Sequence, residues 1–285
     1  MCFKNLVLTG SNLKLFALLG SLQHLETKNQ LISFTSFIGS SSGSLVAFMI
    51  TLGYTVSEMK QTIIDYAKLD NFFKLNIEDA LSIVETYGLD NGVKLEFLCR
   101  EILQKKFPHM RDITFLELYE RSAKDLIVCG SNITKMKLVY FNYLTHPNFS
   151  VIDALGISMC VPILFTPKIL DGDYYVDSGV FNNFPMTYFD PKQTLGINII
   201  DISTSTQQLT PGKMNFFLYL KMLFRAMMHN NEDTYNDYNV CNLEIIEKKF
   251  FVSLTELSLI TDTDTFEDYY NQGFLQSLNF FTRLF

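Results

Sequence analysis

Two short stretches hold the residues whose types and spacing could do covalent chemistry. Gly39-Ser40-Ser41-Ser42-Gly43 reads G-x-S-x-G, and Ser41 is the only one of the three serines in frame. A serine delivered by a strand, flanked by glycines and followed by a helix is the sequence form of a nucleophile elbow. The glycines permit a tight turn and close packing against a sheet, while the turn lifts the hydroxyl clear of the backbone. The helix N-terminus then sets unpaired N–H groups and a positive dipole end beside the charge that develops during attack. The second stretch is Asp177-Ser178-Gly179, an acidic turn at the end of the apolar run Tyr174-Tyr175-Val176. Taken alone, this aspartate reads as a turn former.

Positioning these groups requires a sheet. Leu31 to Ile38 is apolar with interleaved Ser and Thr and predicts the strand entering the elbow. Leu45, Val46, Phe48, Met49 and Leu52 recur at helical spacing after it. Lys4 to Gly10 predicts a first strand, followed by the turn Gly10-Ser11-Asn12-Leu13-Lys14 and a helix through Leu15, Phe16, Leu18, Leu19, Leu22 and Leu25. Such a βαβ opening implies a parallel pair with a right-handed crossover, and an active crevice beyond the carboxyl ends of the strands. The turn at 10–14 and the elbow at 39–43 are therefore expected to be neighbours.

Further along, Val56 to Leu69, Asn76 to Tyr87 and Val93 to Phe107 predict helices, broken by Gly88, Gly92 and Pro108. Asp125 to Asn132 and Lys137 to Tyr143 read as strands, and Val151 to Met159 as a short helix. Pro162 and Pro167 exclude an interior helix between them. Asp171-Gly172-Asp173 predicts a hairpin turn, and Leu195 to Ile200 a buried strand. Met214 to Met228 is the most apolar helix candidate, read as a core helix with a membrane-surface helix as the alternative. Thr265 with Asp268 fits a helix N-cap. With no repeat or low-complexity linker, residues 1–285 read as a single domain, with core motifs at 3–200 and a C-terminal helical part at 210–285.

Composition narrows the function classes. At 285 residues and 48% hydrophobic, the chain can bury a full core. A net charge of −7 without a basic block argues against nucleic acid as a partner. The five cysteines are scattered and odd in number, so a disulfide framework or zinc site is not expected, and a reducing, cytoplasmic compartment is. No leader-like N-terminal segment, bilayer-length apolar run or lipidation box is expected to anchor it. Thr261-Asp262-Thr263-Asp264 lacks the glycine and ligand spacing of a calcium loop, so no metal or other cofactor is expected.

Three segments in order resemble the patatin-like phospholipases, whose pattern is G-G-G-x-K/R-G, then G-x-S-x-G, then D-G-G/A. Here they are Gly10 to Leu15, Gly39 to Gly43 and Asp177-Ser178-Gly179, with Ser158, Pro162, Phe165 and Pro167 before the third and Asn182-Asn183-Phe184-Pro185 after it. The resemblance covers roughly residues 3–200. It implies a three-layer α/β/α fold with a mainly parallel central sheet. It also implies a lipid acyl hydrolase of phospholipase A type, with a lipid as substrate and a transient membrane surface as partner; the missing metal-ligand pattern makes calcium independence the expectation. Ser41 would be the nucleophile and Asp177 the general base of a catalytic dyad, the backbone amides of Gly10, Ser11 and Asn12 would form the oxyanion hole, and Gly39, Gly43 and Gly179 would shape the elbow and turn. Ser11, Asn12 and Leu15 stand where the family has glycine, as does Ser178; these departures bear on rate more than on fold. Two rivals stand beside this reading. One is a Ser-Asp-His esterase, for which His229 is the only histidine after Asp177. The other is a catalytically weak or inactive lipid-binding or scaffold protein of the same fold.

Overall fold

A computed structural model of the chain describes residues 3–68, 83–202, 235–246 and 263–285, with Met222 alone between them. Apart from Met222, the apolar helix expected at 214–228 lies outside these residues, as does His229.

The opening unit folds as its pattern predicts: β1 (Asn5–Leu8), α1 (Leu15–Thr27), β2 (Ser36–Gly39), then α2 (Ser42–Thr51). The strand expected from Leu31 is shorter than its apolar run, because β1 offers partners only from Asn5↔Ser36 to Leu8↔Gly39. Ahead of that ladder, Leu31–Ser33 closes into a 3-10 turn. There follow α3 (Val56–Ala67), α4 (Ile83–Thr86), β3 (Gly88–Asp90), α5 (Val93–Lys106) and α6 (Phe115–Ser122). Both α3 and α6 start on capping boxes, Thr55 with Glu58 and Thr114 with Glu117, which satisfy otherwise orphaned N–H groups. Then come β4 (Asp125–Asn132), β5 (Lys137–Phe141), α7 (Val151–Ser158), β6 (Ile163–Phe165), β7 (Lys168–Leu170), β8 (Asp173–Val176) and β9 (Thr194–Asp201). Asp171 and Gly172, both at positive φ (53° and 81°), turn β7 into β8. Last are β10 (Asn239–Ile245) and α8 (Thr263–Leu284).

The main sheet runs β10-β9-β1-β2-β4-β8-β7, with β5 on β4. From β10 to β4 every pair is parallel, and β5, β7 and β8 add antiparallel pairs beyond. Alternation sorts the strands between two cores. Leu6, Leu8, Phe37, Leu126, Val128, Leu195 and Ile197 face one cluster; Val7, Ile38, Ile127 and Cys129 face another. A one-residue slip of β1 would bring Leu6 and Leu8 out of the first, at about 1.5–3 kcal/mol each, so the register is firmly set. Helices α1, α2, α3, α5, α6, α7 and α8 all contribute to the first cluster, so the fold is a mixed α/β one with helices flanking a central sheet. The opposite face is covered by Phe184, Met186, Tyr188 and Phe189 and by Tyr235, Tyr238 and Val240.

The C-terminal part differs from its all-helical expectation. Residues 239–245 pair in parallel along β9, from Asn239↔Leu195 to Ile245↔Asp201. Cys241, Leu243 and Ile245 are buried while Asn242 and Glu244 are exposed, a period of two that only a half-covered strand satisfies. Thr265 lies within α8 rather than capping it, since the helix already runs from Thr263. Phe266 of α8 stacks on Phe16 of α1, ring centroids 4.4 Å apart. The last described segments thus share the sheet and core of the first.

Candidate active site

β1 and β2 end side by side, Leu8 opposite Gly39, and the Ser40 N–H donates to the Leu8 carbonyl at 3.2 Å. α2 begins at Ser42, so Ser41 must turn the chain from strand to helix. It does so at φ 50°, ψ −126°, a conformation that costs a non-glycine residue about 1–3 kcal/mol and persists only where neighbours enforce it. The enforcement is close packing. A Cβ on Gly39 would strike the backbone of Gly43, and one on Gly43 would come within 2.5 Å of the Thr9 carbonyl oxygen. The helix start is pressed onto both strand ends, and any side chain at either glycine would hold it off.

The turn after β1 lies against this elbow. A Cβ on Gly10 would sit 3.0 Å from the Ser41 Cβ. The Gly10 N–H donates to the Asn183 carbonyl (3.1 Å), and the Ser11 N–H donates to the Ser42 Oγ (3.0 Å). Of the three amides expected to face an oxyanion, only that of Asn12 is unengaged by a described partner. Asn12 sits at φ 50°, where asparagine is tolerated better than most residues. Behind it Lys14, largely buried, pairs with Asp201 at the end of β9 (3.1 Å) and ties the turn to the sheet.

β8 delivers Asp177, whose own N–H is fixed by the Cys160 carbonyl at 2.7 Å. The carboxyl is buried. Its Oδ1 accepts the Gly179 N–H at 2.8 Å, and its Oδ2 has no hydrogen-bond partner among the described residues. Burial pushes its pKa up to about 6, against the smaller opposite pull of the Ser41 hydroxyl and the Gly179 amide. The Ser41 hydroxyl is thus among the groups that steady the Asp177 charge, while Oδ2 itself closes no hydrogen bond to a described residue. Ser41 and Asp177 share one buried corner.

Several contributors went unassigned in the sequence. Asn183 donates through Nδ2 to the Gly10 carbonyl (2.8 Å) and to the Thr9 hydroxyl (3.2 Å), fastening the first turn to the segment after Asp177. Ser158 and Ser178 present their hydroxyls to the Ser41 N–H at 3.0 and 3.1 Å. Asn183 and Ser158 stand in the quoted motifs, so a signal existed for both; Ser178 stands in the sequence only as a departure from the family glycine, which would strain its turn if the backbone there were left-handed. Its backbone is not at positive φ, so it imposes no such strain. Among the described histidines, His24 stacks on Phe281, His109 is exposed and His146 bonds the Thr145 hydroxyl; none forms a hydrogen bond to Ser41 or Asp177. No group of His, Cys, Asp or Glu among the described residues is placed to hold a metal ion.

A family model for patatin-like phospholipase matches residues 6–190. The chain is 34% identical over 192 residues to the probable lipid hydrolase 463L of Invertebrate iridescent virus 6, a match covering 65% of this chain and 62% of that protein. It is 26% identical over 230 residues to an uncharacterized protein of Acanthamoeba polyphaga mimivirus, R571, covering 79% and 75%. Among solved structures it is similar to VipD from Legionella pneumophila, with TM-score 0.60 and 16% identity over 98% of this chain and 67% of that one. ExoU, a type III effector protein, gives TM-score 0.54 and 14% identity over 99% and 53%. At those identities the structural likeness is one of fold.

Proposed function

Because the chain belongs to the patatin-like phospholipase family, we propose that it is a lipid acyl hydrolase cleaving carboxylic esters of phospholipids or other acyl lipids through Ser41 and Asp177. The observation that carries this reading is the buried Asp177 carboxyl, with an unpartnered Oδ2 and a pKa near 6, beside a serine held at a strained helix start. A carboxylate at an ordinary pKa is a poor base for an alcohol, and desolvation improves it.

The steps follow from these positions. Asp177 takes the hydroxyl proton as Ser41 Oγ bonds to the ester carbonyl carbon, and the carbonyl oxygen becomes an oxyanion. The Asn12 N–H, with the positive end of the α2 dipole, stabilises that charge. The intermediate collapses by breaking the bond to the alcohol oxygen, which leaves with the proton held by Asp177. Asp177 then deprotonates water, which attacks the acyl-enzyme; the fatty acid departs and the proton returns to Ser41 Oγ. The chain acts in this reading as a single domain at a membrane or lipid surface. No helix among the described residues is long and apolar enough to cross a membrane.

One observation favours the second reading, a fold-retaining lipid binder with weak or no catalysis: the Ser42 hydroxyl occupies the Ser11 N–H that would otherwise be an oxyanion donor. A fluorophosphonate separates the two. It should label the folded protein once, on the peptide containing Ser41, and acyl release from phospholipid vesicles should persist in chelator. Folded protein that resists labelling would leave the binding role; loss of release in chelator would contradict calcium independence.

The oxyanion turn has its own test. Asn12→Gly keeps the left-handed backbone and should hold kcat within about twofold, whereas Asn12→Val, costing about 1–2 kcal/mol at φ 50°, should pull the amide away and lower kcat roughly tenfold or more. Initial rates on a soluble ester read this out. Equal rates for the two variants would remove Asn12 from the hole.

A further inference from the structure

The departure of this chain from the D-G-G/A pattern sits at Ser178, and it is the most connected hydroxyl near the site. Its Oγ lies 2.7 Å from Ser40 Oγ, 3.1 Å from Ser158 Oγ and 3.1 Å from the Ser41 nitrogen. A hydroxyl has one proton and two lone pairs, so these three neighbours saturate it: the Ser41 N–H and one hydroxyl donate, and its own proton goes to the other. Ser40 continues the chain to Asn183 Oδ1 (3.4 Å), and Asn183 holds the Gly10 carbonyl. On the far side the Ser131 hydroxyl of β4 donates to the Ser178 carbonyl at 3.2 Å. Ser40, Ser131, Ser158 and Ser178 are all fully buried, so water cannot replace a missing partner cheaply.

We propose that Ser178 is a positioning residue for the reaction, whose hydroxyl clasps the backbone of the nucleophile to the loop that carries the base. The proposal rests on the Ser41–Asp177 reading. The reasoning is one of connectivity. Ser41 is a helix N-cap, and its N–H has no partner within the helix. Ser158 and Ser178 both accept it, but Ser178 is bonded covalently to Asp177, so this hydrogen bond fixes two reacting residues against each other across 137 positions of chain. Ser158 stands at the end of α7 and supplies an acceptor without that link. A glycine at 178 supplies neither.

The two roles are separable by experiment. The rate of fluorophosphonate labelling is measured against pH for wild type, Ser178→Ala and Ser158→Ala. Loss of the clasp loosens the Asp177 loop and admits water, so the carboxyl reverts toward ordinary carboxylate behaviour. Among the described residues the titratable group facing it is Cys160, whose thiol burial holds up at about 12 and hence neutral, and no charged side chain among them contributes to the shift at Asp177. Ser178→Ala is expected to slow labelling roughly tenfold at pH 7.5 and to move the acid limb down by about one pH unit. Ser158→Ala should slow labelling through the lost acceptor but leave the acid limb in place. Ser178→Gly, the residue the family pattern carries at this position, should behave as Ser178→Ala and serves if that variant does not fold. Equal losses at 158 and 178 with a fixed limb, or wild-type rates in Ser178→Gly, would overturn the clasp alone. Failure of folded wild type to label would overturn the clasp together with the nucleophile assignment.

Discussion

Ser41→Ala and Asp177→Asn are each expected to lower kcat for acyl-ester hydrolysis by about 10⁴-fold or more, and the double variant to fall no further than the worse single one. The reason lies in how the two side chains depend on each other. Without the Asp177 carboxylate the Ser41 proton has no acceptor, since no described histidine bonds to either residue. Without the Ser41 hydroxyl the carboxylate can still activate water, but nothing forms the acyl-enzyme. Each loss disables the same step, so the losses do not multiply. The base must be ionised to act, and its pKa near 6 fixes the sign of the pH effect: kcat/KM should fall about tenfold per unit below pH 6 and be flat above it until another group titrates. Initial-rate kinetics on a soluble ester, with circular dichroism to establish folding, decide the matter. Multiplicative losses would mean that the two residues work independently, and an Asp177→Asn variant within tenfold of wild type would remove the dyad.

The path from sequence to this site shows which physics is written locally. The elbow was legible because all its parts are neighbours in sequence: an apolar strand, glycines that must let Gly43 touch the Thr9 carbonyl, and a helical period from Leu45. The meeting of the turn after β1 with the elbow followed from the rule that parallel strands of a βαβ unit end at one edge, and Leu8↔Gly39 is that edge. What stayed hidden was long-range. The Ser42 hydroxyl that takes the Ser11 N–H, and the Ser178 hydroxyl that takes the Ser41 N–H, are small polar groups whose partners depend on fractions of an ångström in the folded core. No periodicity encodes them. β10 was a different kind of miss. Its alternation, Cys241, Leu243 and Ile245 inward with Asn242 and Glu244 outward, stands in the sequence in plain form, but the helical reading of 210–285 passed over it.

Asp177→Asn should also stabilise the protein above pH 6, by an amount that disappears in acid. The carboxyl is buried, its Oδ2 lacks a partner among the described residues, and no cation among them contributes to its shift. Its folded pKa of about 6 lies above the 3.8 of an unperturbed aspartate, so the folded state holds the proton more tightly than the unfolded one. A group raised in this way contributes fully below pH 3.8, and its contribution is lost as pH rises through about 6. Above that, keeping a charged base in the core costs about 3 kcal/mol on the scale of 1.36 kcal/mol per pKa unit. An asparagine retains the oxygen that accepts the Gly179 N–H and carries no charge. In urea unfolding, the variant should exceed wild type by up to about 3 kcal/mol at pH 8, by less at pH 5, and by almost nothing below about pH 3. Asp125, half-buried and raised to about 6, titrates in both proteins and drops out of the difference. A gain independent of pH would place its origin outside the carboxylate charge, and an Asp177→Asn variant less stable than wild type at pH 8 would mean that the carboxylate is not desolvated. The strain at Ser41 and the charge at Asp177 both oppose folding, and in the proposed mechanism the same two features make the serine hydroxyl reactive.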